Sequence, residues 1–175
     1  MTKDELRKFA RELDRLHAGD ARPSLLPKLE RLECWKEAGA VSLYLPVKSE
    51  PGTCEMFRAL WVRGAAVYVP AWNGSGYAPA RIREDTKCAE GRMRILEPEE
   101  KEWGDPAEID LWIVPGVLFD RQNTRLGHGK GDIDRYLAQR RSDAKIIGLA
   151  NPWQTIDAPL PREPHDIVMD DVLSW

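Results

Sequence analysis

The chain has 175 residues, 42% of them hydrophobic and 31% charged, which is enough apolar side chain for one substantial core and a length that favours one domain over residues 1–175. Its 26 Lys and Arg against 29 Asp and Glu leave a formal charge of -3, which excludes a global field drawing the protein onto nucleic acid or acidic lipid, so any phosphate binding must be local. Residues 1–16 mix charges with apolar positions and lack the uninterrupted apolar stretch of a signal peptide, and no later run approaches the length of a membrane span, so the expected compartment is the cytoplasm, without nucleic-acid or membrane partners.

Leu6, Phe9, Leu13 and Leu16 recur at helical spacing and predict an amphipathic helix over 3–17 with that stripe buried and with Lys3 and Arg7 one turn apart beside it. The segment 19–23 breaks that helix, and Leu25, Leu29, Leu32 and Trp35 predict a second one, closed by Gly39, with Pro27 in its first turn. Residues 41–46 read as a buried strand, and Thr53 reads as the N-cap of a helix over 54–63 that Gly64 ends. A strand over 66–70 follows. Residues 71–91, rich in Gly, Pro and charge, read as loop with room for one irregular strand.

Residues 93–96, 111–114 and 146–149 are short, rich in β-branched residues and bounded by turn formers, as strands of an interior sheet are, and 167–169 is a further candidate. Strands separated by helices imply a three-layer α/β fold, with a mostly parallel sheet and helices on both faces. Cys34, Cys54 and Cys88 are odd in number, far apart and without His at ligand spacing, so they are expected to be reduced thiols rather than a disulfide framework or metal site.

The chemistry concentrates in Arg125-Leu126-Gly127-His128-Gly129-Lys130-Gly131, between the strand ending near Val114 and a helix begun by Asp132, Ile133 and Asp134. Glycines between a strand and a helix can lay successive N–H groups around a phosphate, and Lys130 and Arg125 add positive charge. The spacing is neither a Walker A loop nor the dinucleotide fingerprint G-x-G-x-x-G, and plain turns also use glycine, so spacing alone leaves phosphate binding and a structural turn equally open. Asp134 is placed either to face a metal that bridges phosphate oxygens or to complement the helix dipole, and Asp166, within Glu163-Pro164-His165-Asp166, is a second carboxylate for the same rim.

The run Val114-Pro115-Gly116-Val117-Leu118-Phe119-Asp120, then Arg125-Leu126-Gly127 and Asp134-Arg135-Tyr136-Leu137, resembles the signature of the 5-formyltetrahydrofolate cyclo-ligase family, approximately VPG-x-x-FD followed by RLG-x-G-x-GYYDR. Segments around Lys3 to Arg7, Ala59 to Trp61, Val69-Pro70, Ile95 to Pro98 and Glu163 to Asp166 match in the same order, so the likeness spans nearly the whole chain. The resemblance implies an ATP- and Mg2+-dependent ring closure of 5-formyltetrahydrofolate to 5,10-methenyltetrahydrofolate by a monomer. It further implies that Lys3, Arg7 and the loop Arg125, Leu126, Gly127, His128, Gly129, Lys130, Gly131, Asp132 and Ile133 hold the nucleotide, with Lys130 and Arg125 acting on the transferring phosphoryl. Val47, Glu50, Gly52, His128 and Asp132 then fall at the folate, and Asp134 and Asp166 at the magnesium. Without the resemblance, Lys3 and Arg7 would read as a solvated helix face and Arg125 as a surface ion pair.

The chain departs from the family pattern on the acceptor side. Asp132 and Ile133 stand where the family carries two tyrosines, and Gly52 stands where it commonly has an acid before the threonine, with Glu50 two residues earlier. Tyr68, Trp72, Tyr77 and Trp153 are candidates for an aromatic wall, with Tyr68 expected in the core instead. Two rival readings follow: an ATP-dependent relative with a changed acceptor, or a nucleotide-binding module without catalysis.

Overall fold

The computed structural model describes residues 1–47 and 49–175. Its first helix, α1 (Lys3–Leu16), starts at a reciprocal cap in which the Glu5 N–H donates to Thr2 Oγ1 at 3.2 Å and the Thr2 N–H donates to Glu5 Oε2 at 2.7 Å. The buried stripe is not the expected one. Leu6 and Ala10 face inward, whereas Phe9 is 43% and Leu16 77% exposed. The helix rests on a small cluster formed with Val117, Leu118, Leu126 and Leu160, and this seat turns Lys3 and Arg7 inward at the expense of Phe9.

The second expected helix is two short ones, α2 (Leu26–Leu29) and α3 (Glu33–Glu37). Leu32 between them is extended, at φ -85° and ψ 132°, and that break lets both Leu29 and Trp35 reach the core. The expected strand over 41–46 is also shorter, as β1 (Ala40–Ser42). Helix α4 (Cys54–Val62) begins where expected, but Thr53 does not cap it with its side chain. Its hydroxyl donates instead to the Tyr44 carbonyl at 2.9 Å, and Tyr44 Oη donates to the Pro51 carbonyl at 2.8 Å, so the pair fastens the turn after β1.

The principal sheet contains β1, β2 (Ala66–Trp72), β3 (Tyr77–Arg81), β6 (Leu111–Pro115), β9 (Lys145–Leu149) and β11 (Asp171–Leu173), in the order β11-β9-β6-β1-β2-β3. Every pairing is parallel except β2 with β3. One face is covered by Leu29, Trp35, Met56, Phe57 and Leu60 of α2, α3 and α4, and the other by Tyr136 and Leu137 of α5 (Asp132–Leu137), which makes the three layers expected. The largely apolar strands β6 and β9 are buried almost throughout, as strands covered on both faces are.

The irregular strand foreseen within 71–91 is β3, and β4 (Cys88–Glu90) follows it. The interior strand expected over 93–96 is absent. The chain there makes a single tight turn at Arg92–Arg94, then β5 (Leu96–Pro98), which pairs with β4 as a two-stranded hairpin outside the main sheet. Residues 167–169 form no strand, and β11 lies slightly later. Two short strands, β7 (Leu118–Asp120) and β8 (Arg125–Leu126), make a small sheet with β10 (Thr155–Ile156) that holds the approach to the glycine loop. The cysteines form no disulfide, and no helix is long and apolar enough to cross a membrane among the described residues.

Candidate active site

Strand β1 lies between β2 and β6, so the chain leaves β1 toward one side of the sheet and later returns on the other. Loops diverge at such a reversal, and a crevice opens at the carboxyl ends of the strands. A cleft enclosing about 1220 Å³, mouth included, lies at that point: Tyr44 and Leu45 after β1, Pro70 of β2, and Pro115 and Gly116 at the end of β6 line it.

The glycine loop forms one side of the cleft, and every expected nucleotide residue from Lys3 and Arg7 through Arg125 to Ile133 lines it. Gly129 has φ +98° and Gly131 φ +67°, which L side chains rarely adopt. A Cβ at Gly127 would stand 2.8 Å from Arg125 Nη1, and one at Gly129 3.0 Å from Arg7 Cζ. The glycines thus let two guanidinium groups lie directly against the backbone.

Arg7 Nε donates to the Gly127 carbonyl at 2.9 Å and Arg7 Nη1 reaches Asp4 at 2.6 Å, so α1 braces the loop. Arg125 is no surface residue. Its side chain is 3% exposed, Nη2 donates to Asp134 Oδ2 at 3.1 Å, and Nε has no partner among the described residues. Burial pushes its pKa down, and Asp134 opposes that shift. The Lys130 ammonium meets only the thioether of Met93, at 2.7 Å, a weak acceptor that leaves its charge uncompensated among the described residues. Because α5 has six residues and opens with Asp132 and Asp134, the positive field comes from these side chains rather than from a helix dipole.

Lys3 Nζ lies 2.6 Å from both Glu163 Oε2 and Asp166 Oδ2, which joins the first helix to the C-terminal segment across the cleft. These contacts outweigh the burial of Lys3 and hold its pKa up, and they lower those of Glu163 and Asp166. One ligand atom from each of Glu163, His165 and Asp166 falls within a 4.8 Å group. Asp134 and Asp166 both line the cleft, but Asp134 commits Oδ2 to Arg125 and Oδ1 to the Ile167 N–H at 3.4 Å.

The cleft also has an apolar part, with Leu45, Val47, Ile95, Leu96 and Met93, the last in contact with Lys130 of the glycine loop. Glu50 sits within it, taking the Val47 N–H at 2.9 Å, and burial pushes its pKa up to about 7. Gly52 does not line the cleft; Glu50 does, at the end of a turn that its N–H closes by donating to the Val47 carbonyl at 2.9 Å. His128 lines it with a pKa lowered by desolvation and by the Arg125 and Arg7 charges, and Asp132 lines it while paired to Arg135 at 2.6 Å. Tyr68 is in the core, as expected. Trp72 and Trp153 do not line the cleft: Arg92 lies 3.7 Å over the Trp72 ring, and Trp153 stacks on His17.

Sequence reasoning missed Tyr44, Pro70, Met93, Ile95 and Leu96. The apolar run over 93–96 was visible as a pattern, but nothing local distinguishes a cleft wall from an interior strand.

The 5-formyltetrahydrofolate cyclo-ligase family model matches residues 2–174. A 5-formyltetrahydrofolate cyclo-ligase of Mycolicibacterium smegmatis is 33% identical over 77% of this chain and 72% of its own length, and one of Haemophilus influenzae is 28% identical over 97% and 93%. The solution structure of the 5,10-methenyltetrahydrofolate synthetase of Aquifex aeolicus is similar at a TM-score of 0.79 and 29% identity, covering 99% of this chain and 90% of that one. With a cleft at the sheet's reversal point and a likeness that runs from end to end, the chain belongs to the 5-formyltetrahydrofolate cyclo-ligase family of ligase enzymes.

Proposed function

We propose that the protein closes 5-formyltetrahydrofolate to 5,10-methenyltetrahydrofolate, with ATP and Mg2+ bound along the glycine-loop side and the reduced folate along the apolar side of one cleft. The observation that carries this reading is the meeting of Lys3, Arg7, Arg125 and Lys130 with Gly127, Gly129 and Gly131 beside a wall of apolar side chains. A formamide carbonyl is a poor electrophile and its oxygen a poor leaving group; ATP supplies the phosphoryl that turns that oxygen into a leaving group, and Mg2+ offsets charge on the phosphates. The chain's own residues position and neutralise. Lys130, unpaired by any carboxylate among the described residues, and Arg125, locked by burial, bear on the transferring phosphoryl. Lys3 and Arg7 bind the remaining phosphates from α1.

Carboxylates suit a hard cation. Asp166 keeps Oδ1 clear of its Lys3 contact and would hold the ion directly, while Asp134 would do so in exchange for its Arg125 contact. On the acceptor side, Val47 and the carboxyl of Glu50 contact the folate, Glu50 offering at neutral pH both a protonated and an ionised form to ring N–H and oxygen groups. His128 and Asp132 border the junction of the two halves, and Gly52 acts only through the turn that carries Glu50. We further propose a monomer of one domain, working in the cytoplasm.

Purified protein with Mg-ATP and 5-formyltetrahydrofolate should develop the near-ultraviolet absorbance of the methenyl product. Absence of product across pH and metal conditions would remove the reading. One observation favours a second reading, a changed acceptor: Asp132 brings a carboxylate into the cleft wall. In that case Mg-ATP raises the unfolding temperature and 5-formyltetrahydrofolate neither does so nor turns over.

A further inference from the structure

Of the tyrosines Tyr44, Tyr68, Tyr77 and Tyr136, one alone has a hydroxyl without a partner among the described residues. Tyr44 Oη donates to the Pro51 carbonyl, Tyr136 Oη bonds to Ser42 Oγ at 2.8 Å, and Tyr68 Oη accepts from Arg81 at 3.3 Å. Tyr77 is only 8% exposed, and its hydroxyl has no partner. Leaving such a group both dry and unbonded is unfavourable, so its retention asks for a bond formed in another state of the protein.

Tyr77 is also held firmly in place and lines the cleft. It pairs with Trp72 in the β2–β3 register, its ring meets Trp72 edge-on with centroids 5.3 Å apart, and Gln139 Nε2 donates to its carbonyl at 2.8 Å. That bond ties the start of β3 to the chain just after α5, whose first residues, Asp132 and Ile133, line the same cleft.

We propose that Tyr77 is an acceptor-binding residue, whose hydroxyl donates to a ring carbonyl oxygen of the flat heterocycle when the acceptor fills the apolar half of the cleft. The assignment rests on the acceptor reading above and adds a residue to it. Burial, with the Glu97 and Asp132 carboxylates, holds the phenol pKa up, so the group enters the bond as a donor and needs an oxygen opposite it. The formyl oxygen is not that partner, because a donor on it would blunt the atom that must take the phosphoryl.

The test is Tyr77→Phe, which deletes the hydroxyl and keeps the ring. KM for 5-formyltetrahydrofolate should rise roughly tenfold, the loss of about one hydrogen bond, while KM for Mg-ATP and kcat stay within about threefold. Without ligands the variant should unfold at the same or a higher temperature than wild type, the opposite of what a merely structural tyrosine would show. An unchanged KM for the folate, or a variant that loses stability and kcat together, overturns the assignment while leaving the acceptor reading in place. Wild-type protein that responds to Mg-ATP but neither binds nor turns over 5-formyltetrahydrofolate removes both.

Discussion

At the scale of single residues, Arg125 and Lys130 carry charge to the same cleft in different ways, and their variants should separate accordingly. Lys130→Ala removes an exposed ammonium and should raise the Kd for Mg-ATP roughly tenfold or more with no change in unfolding temperature. Arg125→Ala removes the buried partner of Asp134 and should also destabilise the fold, by roughly 3–5 kcal/mol, because an uncompensated carboxylate remains inside. Calorimetry of both variants checks the split; equal stability would mean that the pair is not buried in solution. Glu50 makes a pH prediction. Its folded pKa of about 7 lies above the ordinary carboxyl value, so the native state binds the extra proton and stability falls as pH rises from about 4.5 through 7. Glu50→Gln should therefore stabilise the ligand-free protein at pH 8, by up to about 3 kcal/mol, and leave it unchanged at pH 4.5. Thermal unfolding of both proteins across that range measures it, and a pH-independent difference would refute it. The loop cations were legible because glycine spacing and charge are local properties. The choice between Glu50 and Gly52 was not, since it depends on how the turn from Val47 to Glu50 sits relative to a sheet edge made of distant segments.

At the scale of elements, legibility followed burial. Strands β6 and β9 are covered on both faces and spell that out as uninterrupted apolar runs, whereas β3, β4 and β5 lie in hairpins whose sequences also suit loops. The helix α1 was legible in extent and not in orientation: the expected stripe joined Leu6 to Phe9, Leu13 and Leu16, and the contact with β7 and β8 buries Leu6 with Ala10 and leaves Phe9 and Leu16 exposed. The β4–β5 hairpin, by contrast, turns through Met93 at φ 61° and Arg94 at φ 60°, two successive left-handed residues that are not glycine. Each costs about 1–2 kcal/mol relative to glycine in that conformation, while glycine gives back roughly 0.5–1 kcal/mol to the unfolded chain. Arg94→Gly should accordingly raise the unfolding free energy by a net of about 0.5–1 kcal/mol, read as a higher urea midpoint, without altering Mg-ATP affinity. A lower midpoint would show that the turn is not left-handed in solution.

At the scale of the whole molecule, the ends of the chain meet over the cleft. Lys3 and Asp166 are 163 positions apart in sequence and in direct contact in space, so this side of the cleft is built only once the fold is complete. The depressed Asp166 pKa makes this contact stabilising above the ordinary carboxylate range and lost as pH falls through the folded value, and the raised Lys3 pKa keeps it present up to alkaline pH. Across neutral pH the clasp is therefore closed, yet partly exposed ion pairs add little stability, typically under about 1 kcal/mol. Its larger effect should appear on ligand binding. Mg-ATP at one hundred times its Kd stabilises a protein by about 2.7 kcal/mol, and a tenfold weaker Kd reduces that to about 1.4 kcal/mol at the same concentration. Lys3→Met should show that pattern: a ligand-free unfolding temperature close to wild type, and about half the stabilisation on adding Mg-ATP. If the variant instead unfolds early and responds fully to nucleotide, Lys3 is a fastener between the first helix and the last loop, and the phosphates are held by Arg7 and the glycine loop without it.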